Sequence, residues 1–235
     1  MSPKNFFIKI LLLYPEIDGV KSMIVNRYPM LTISWKIVND VKVTKKRSPI
    51  IFGLIQKTRE LWKDRDLTKN EVIRSYRKFF WSLKVDPTKI RPSAEALIRR
   101  ILRGKSLPKI NNVVDALNIA SVETLITFSV FDLDKVFPPL EIIESKGGET
   151  MVDISGNNYV FPPGFPLMKD SKEQIMAAVI FRDAYFSRVT EDTKNILVIG
   201  YAPKGISRAY LKSAVNTATN YILDSADGKI SEEIR

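Results

Sequence analysis

The 235-residue chain contains no cysteine and no histidine. Without cysteine it can form no disulfide, thiolate nucleophile, zinc ribbon or iron–sulfur cluster. Without histidine it lacks the side chain that titrates nearest neutral pH and that ligates metals most often. A Ser-His-Asp triad and a histidine-bound catalytic zinc are therefore excluded. Any metal site would have to consist of oxygen ligands alone, and we expect the protein to bind no metal.

Two further absences narrow the possible functions. No glycine-rich phosphate loop of either nucleotide-binding type occurs, so we expect no cofactor and no ATP or NAD site. The most apolar early stretch, residues 6–14, is interrupted by Lys9 and is too short to span a bilayer. It also lacks a small-residue cleavage site. The sequence therefore predicts a cytoplasmic protein with no membrane partner.

The excess of positive charge lies in the first 110 residues of the chain. Residues 1–83 contain 17 basic and 7 acidic side chains, and residues 84–110 contain 8 and 2. Residues 111–235 contain 12 basic and 17 acidic side chains. Such asymmetry is typical of a polyanion binder, most commonly of nucleic acid. The alternative is a solvated basic surface that only confers solubility.

An amphipathic helix is predicted from Thr68, which has capping-box spacing with Glu71. Its aromatic residues could stack on bases, but their helical spacing favours a stripe that faces the core. The apolar stripe consists of Val72, Ile73, Tyr76, Phe79, Phe80 and Leu83.

A second helix is predicted between Pro92 and Gly104, which suit the first turn and the position after the last turn. Glu95 is the only carboxylate near its arginines, so most guanidinium donors remain free for a phosphate or a terminal carboxylate. Alternatively, Arg91 or Arg99 is buried against Glu95 or Asp115 and stabilises the fold. The predicted phosphate-binding residues are Arg91, Arg99, Arg100, Arg103 and Lys105.

The remaining pattern predicts an α+β fold with helices segregated toward both ends of the chain. Further helices are predicted at residues 112–121 and 206–223, and turn residues such as Gly147 and Gly156 separate the strands. The predicted strands are residues 21–25, 32–43, 125–131, 140–143, 150–154, 158–161, 177–182 and 196–202.

Three blocks of sequence resemble a known family. Residues 86–121 read DPTKIRPSAEALIRRILRGKSLPKINNVVDALNIAS, residues 131–135 read FDLDK, and residues 181–199 read FRDAYFSRVTEDTKNILVI. Together they resemble the B3/B4 domain, the tRNA-binding and editing module of the phenylalanyl-tRNA synthetase β subunit, and its free-standing relatives.

The resemblance implies a single tRNA-binding domain over residues 1–235, with a layered α/β structure and a β-sandwich-like core. Its parts would be an N-terminal α+β region (1–85), a motif-bearing core (86–205) and a C-terminal helix (206–235). It also implies deacylation of mischarged aminoacyl-tRNA in trans, without the ability to ligate an amino acid. Two alternatives are a non-catalytic RNA-binding module and an amino-acid-binding protein.

The same resemblance implies two catalytic positions. In the synthetase module an Asn and a His eleven residues apart lie in the editing pocket, and this spacing corresponds to Asn118 and Ser129. Serine therefore stands where the family has its pocket histidine. Asn118 could instead only hydrogen-bond within a helix-to-strand corner, and Ser129 could be an ordinary strand hydroxyl.

Five charged residues are candidates for substrate binding. Asp115, Asp132 and Asp134 could bind a water or an amino group, although Asp132 and Asp134 could equally cap the following turn. Arg182 and Asp183 lie in a matched block and could form an internal ion pair across a pocket wall.

Overall fold

The computed structural model describes residues 16–17, 20–21 and 23–231, with side chains from residue 23 onward. The apolar stretch 6–14 lies outside these residues. No helix within the described ranges is long and apolar enough to cross a bilayer.

The described residues form an α+β fold, which confirms the predicted class. The helices are α1 (Ile50–Trp62), α2 (Glu71–Ser82), α3 (Ser93–Leu102), α4 (Asn112–Thr124) and α5 (Arg208–Ala226). The strands are β1 (Glu16–Ile17), β2 (Val20–Lys21), β3 (Ile24–Asn26), β4 (Leu31–Asn39), β5 (Thr127–Asp132), β6 (Leu140–Glu144), β7 (Thr150–Val152), β8 (Asn158–Val160), β9 (Pro166–Lys169), β10 (Ile175–Ala178), β11 (Arg182–Asp183), β12 (Ile196–Pro203) and β13 (Lys229–Ile230).

Two main sheets carry the fold. A five-stranded sheet has the order β11-β10-β9-β6-β3, and a four-stranded antiparallel sheet has the order β13-β4-β12-β5. Side chains of both sheets, such as Ile142 and Ile199, belong to one buried core cluster. The two sheets therefore pack face to face, and β5 and β11 each lie at an edge.

Strand β12 is buried on both faces because its residues alternate between two cores. Leu197, Ile199 and Tyr201 face the core shared with the five-stranded sheet, whereas Ile196 and Val198 face helices α4 and α5. Gly200 allows α5 to approach closely, since a Cβ added there would lie 2.8 Å from Val215 Cγ2.

Helix α2 follows its predicted apolar stripe but not its predicted cap. Tyr76, Phe79 and Phe80 are almost completely buried, so the prediction that they face the core is confirmed. The helix is capped by Asn70, whose Oδ1 accepts hydrogen bonds from two backbone N–H groups, while Thr68 lies in a preceding 3₁₀ turn. The predicted capping box from Thr68 is therefore wrong.

Helix α1 was not expected from the sequence, although it packs into the helical layer. Its buried residues recur at i, i+3, i+4, i+7 and i+11, but its N-terminus has no side-chain cap. Several predicted strand bounds also differ. The 32–43 strand ends at Asn39 and the 150–154 strand ends at Val152. The predicted 177–182 strand is divided into β10 and β11. Strand β9 lies in a stretch for which no element was predicted.

Candidate functional site

A polar cavity of about 280 Å³ lies where the edges of the two sheets meet. Ser129 on β5 donates a hydrogen bond from Oγ to Asp183 Oδ1 on β11, at 2.7 Å. These two residues come from different sheets and are 54 positions apart in the chain. The cavity is lined by Ser93, Thr127, Phe128, Ser129, Asp153, Ile154, Ser155, Ile180, Phe181, Arg182 and Asp183.

Thr127, which lines this cavity, is held in place by Tyr76, which is fully buried on α2. Its hydroxyl accepts a hydrogen bond from the Thr127 N–H at 2.9 Å and donates one to the Tyr201 carbonyl. The Ser93 hydroxyl, at the start of α3, donates to Thr127 Oγ1 at 3.1 Å. Thus α2 and α3 both hold the β5 edge strand in place beside Asp183.

The Asp183 carboxyl has an unusual proton affinity. Burial disfavours the charged form of Asp183 and raises its pKa to about 7. The hydrogen bond from Ser129 lowers the pKa, but its effect is smaller than that of burial. Burial, and next the nearby Asp183 charge, also raise the pKa of Tyr201. The buried Tyr201 hydroxyl lies near Ser129, but it forms no hydrogen bond with any of the described residues. The cavity thus combines hydroxyl groups with a carboxyl that exchanges protons near neutral pH.

Arg182 does not pair with Asp183, contrary to the prediction. Its guanidinium lies 3.1 Å from Asp153 Oδ2 and 4.4 Å from the centre of the Tyr159 ring. Asp153 also accepts hydrogen bonds from the Ser155 and Asn157 N–H groups in the β7–β8 turn. Asp183 is therefore left without a cationic partner among the described residues, which is consistent with its raised pKa.

A second cavity, of about 520 Å³, lies over helix α3 and is strongly basic. It brings together all five residues predicted to bind phosphate, and it also contains Asn118. Ser93 lines both cavities, so the basic cavity and the Ser129–Asp183 cavity adjoin each other. The lining residues are Lys89, Arg91, Ser93, Ala96, Leu97, Arg99, Arg100, Arg103, Lys105, Pro108 and Asn118.

One arginine of the basic cavity is held by a buried carboxylate. Glu95 is fully buried and accepts hydrogen bonds from Arg99 Nε at 2.8 Å and from Arg77 Nη1 at 3.0 Å. This arrangement agrees with the structural alternative for Arg99, which both pairs with Glu95 and lines the cavity. Two guanidinium groups share one carboxylate, so the cluster keeps a positive charge.

The other acidic candidates lie away from both cavities. Asp115 is buried and accepts a hydrogen bond from the Ile110 N–H at 3.1 Å. Asp132 accepts hydrogen bonds from Thr193 Oγ1 at 2.6 Å and from the Asp134 N–H at 3.1 Å, and so caps the 3₁₀ turn. No group of three or more carboxylates close enough to hold a metal ion occurs among the residues that the structure describes.

Asn118 and Ser129 are not brought into one cavity. Asn118 on α4 lines the basic cavity, whereas Ser129 lines the neighbouring polar one. Sequence reasoning missed Ser93, Thr127 and Tyr201, because isolated hydroxyl residues in apolar strands and at a helix start carry no local signal of function.

The comparison with known proteins identifies the family. The B3/4 domain matches residues 75–227, and every residue that lines the two cavities lies within this segment. The chain belongs to the B3/4 domain family. This confirms the resemblance seen in the sequence blocks.

One relative of this B3/4 protein is a much longer chain. The B3/4 protein is 28% identical over 154 residues to the phenylalanine–tRNA ligase β subunit of Ruegeria pomeroyi, a match that covers 55% of this chain and 19% of the ligase subunit. A crystallised N-terminal fragment of the Pyrococcus horikoshii phenylalanyl-tRNA synthetase β subunit matches with a TM-score of 0.48 and 14% identity. That match covers 92% of this chain and 53% of the fragment. The chain thus spans about a fifth of the bacterial relative.

Proposed function

We propose that this B3/4 protein binds tRNA and hydrolyses the ester of a mischarged aminoacyl-tRNA in trans. The observation that carries the proposal is the adjacency of the two cavities, which share Ser93. A basic cavity suits the phosphates of an RNA end, and a small polar cavity beside it suits the ester carried by that end.

The chemistry requires no imidazole and no metal. An aminoacyl ester is already activated, so the protein chiefly has to position a water and stabilise the developing oxyanion. Asp183, with a pKa of about 7, takes a proton from the attacking water as the oxygen bonds to the ester carbon. The ester bond then breaks, and Asp183 returns its proton to the ribose oxygen, which leaves as a hydroxyl group.

The hydroxyl groups have distinct roles in this scheme. Ser129 donates to Asp183 and holds its carboxyl toward the cavity. Ser93 donates to Thr127 Oγ1, which leaves the Thr127 hydroxyl proton free to donate to the oxyanion. The phosphates would be held by Arg91, Arg100, Arg103, Lys105 and Lys89, with Asn118 as a neutral donor beside them.

The test is release of amino acid from a panel of mischarged tRNAs, beginning with tyrosine attached to the phenylalanine tRNA. We expect hydrolysis above the buffer rate on at least one member, and a loss of about 10²- to 10⁴-fold for Asp183→Asn. Asp192→Asn is the matched control, because Asp192 is an exposed carboxylate outside both cavities. No release on any tRNA would refute the enzymatic proposal.

The second candidate function is RNA binding without catalysis. Ser129 favours it, because a serine replaces the histidine that the synthetase module has at this position. In that case tRNA binds with an affinity that falls steeply with salt, while the ester is stable. Absence of binding at low salt would contradict both candidates.

A further inference from the structure

The exposed face of helix α2 carries a tryptophan among cations. Arg74, Lys78 and Trp81 occur at i, i+4 and i+7 and are exposed on one side of the helix. Arg77, between them, is only 18% exposed because it binds the buried Glu95. Glu71, in the first turn, is the only acidic residue of α2. This face therefore combines a large aromatic ring with positive charge.

Trp81 differs from the other tryptophans. It is 55% exposed, whereas Trp62 is buried and Trp35 is packed against the core. Within the described residues its ring makes no stacking or cation–π contact. An exposed indole beside lysine and arginine side chains matches a partner that offers both an aromatic face and negative charge.

This face is linked to the basic cavity through a buried ion cluster. Arg77 on α2 and Arg99 on α3 both bind Glu95, and Arg99 lines the basic cavity. Helix α2, which carries Trp81, is therefore joined by ion pairs to helix α3, which lines the basic cavity.

We propose that Trp81 stacks on an unpaired base of the RNA whose phosphates occupy the basic cavity. Indole rings stack on any of the four bases, and flanking cations hold the backbone of the same strand. The inference rests on the RNA-binding part of the proposed function, but it does not depend on hydrolysis.

The decisive experiment is binding of tRNA and of an unpaired oligonucleotide over a range of salt concentrations. Trp81→Ala should weaken binding by about 5- to 150-fold without changing the slope of log affinity against log salt. Lys78→Ala should instead reduce that slope by about 0.7 to 0.9. Phe52→Ala is the matched control, since Phe52 is a 72% exposed aromatic on α1, outside the basic cavity, and should leave affinity unchanged.

A second readout follows the indole itself. RNA should quench part of the tryptophan fluorescence of the wild-type protein, and Trp81→Phe should abolish this quenching while keeping most of the affinity. Wild-type affinity in Trp81→Ala, or undiminished quenching in Trp81→Phe, would overturn the inference. A wild-type protein that binds no RNA refutes the proposed function itself, which is a different outcome.

Discussion

The titration of Asp183 should make the stability of this protein depend on pH in an unusual direction. Its folded-state pKa of about 7 lies above the ordinary value of 3.8. The folded protein therefore binds this proton more tightly than the unfolded chain does. Stability from Asp183 is fully present below pH 3.8 and is lost as the pH rises through 7.

The size of the effect follows from the two pKa values. One pKa unit corresponds to ~1.4 kcal/mol, so raising the pH from 5 to 8 should reduce the free energy of unfolding by at most about 2.6 kcal/mol through this group. This is an upper limit, because the residue keeps some solvent contact that screens the charge. Asp183→Asn removes the titration and keeps an oxygen that accepts from Ser129.

The assay is urea denaturation of the wild-type protein and Asp183→Asn at several pH values between 5 and 8. The gap between the two curves should widen toward pH 8 in favour of the variant. Burial also raises the pKa of Asp115, but that contribution is the same in both proteins and cancels. Parallel curves would show that the Asp183 carboxyl is ionised in the folded protein throughout this range, and would refute the reasoning.

Three further substitutions test the packing around the site by urea denaturation. Tyr76→Phe should cost about 1–3 kcal/mol, because it leaves the buried Thr127 N–H without its acceptor; an unchanged midpoint would contradict this. Glu95→Gln should cost about 3–5 kcal/mol, because Arg77 loses a buried counter-charge. Gly200→Ala should cost about 1–3 kcal/mol by overpacking against α5, and the loss should be recovered by trimming a helix side chain.

Local patterns predicted much of the fold. The apolar stripe of α2 was correct because six residues at helical spacing can bury together only as a helix face. Pro92 and Gly104 marked the two ends of α3, because proline favours a helix start and glycine favours the position after a helix end. Gly104 has a φ of +79°, which glycine adopts readily. Helix α1 has an equally good stripe, but it begins without a side-chain cap and contains Gly53, so its start carries no signal.

The candidate site was predictable only in part. The basic cavity was found because its arginines lie on one helix, where spacing in the sequence gives proximity in space. The Ser129–Asp183 contact joins two edge strands of different sheets, and no periodicity encodes that. Proximity in the sequence suggests that Arg182 pairs with its neighbour Asp183. In the structure the two bind different partners, because successive residues of a strand point to opposite sides.

The position of Ser129 and Asp183 on separate sheets has a mechanical consequence. The distance between their side chains depends on how far apart the two sheets stand, and that spacing is set by core side chains such as Ile142, Met168 and Ile199. A change of volume deep in this core should therefore lengthen or shorten the Ser129–Asp183 contact without touching either residue. A core substitution that changes the spacing between the sheets should therefore shift the pKa of Asp183, and that shift can be measured by titration.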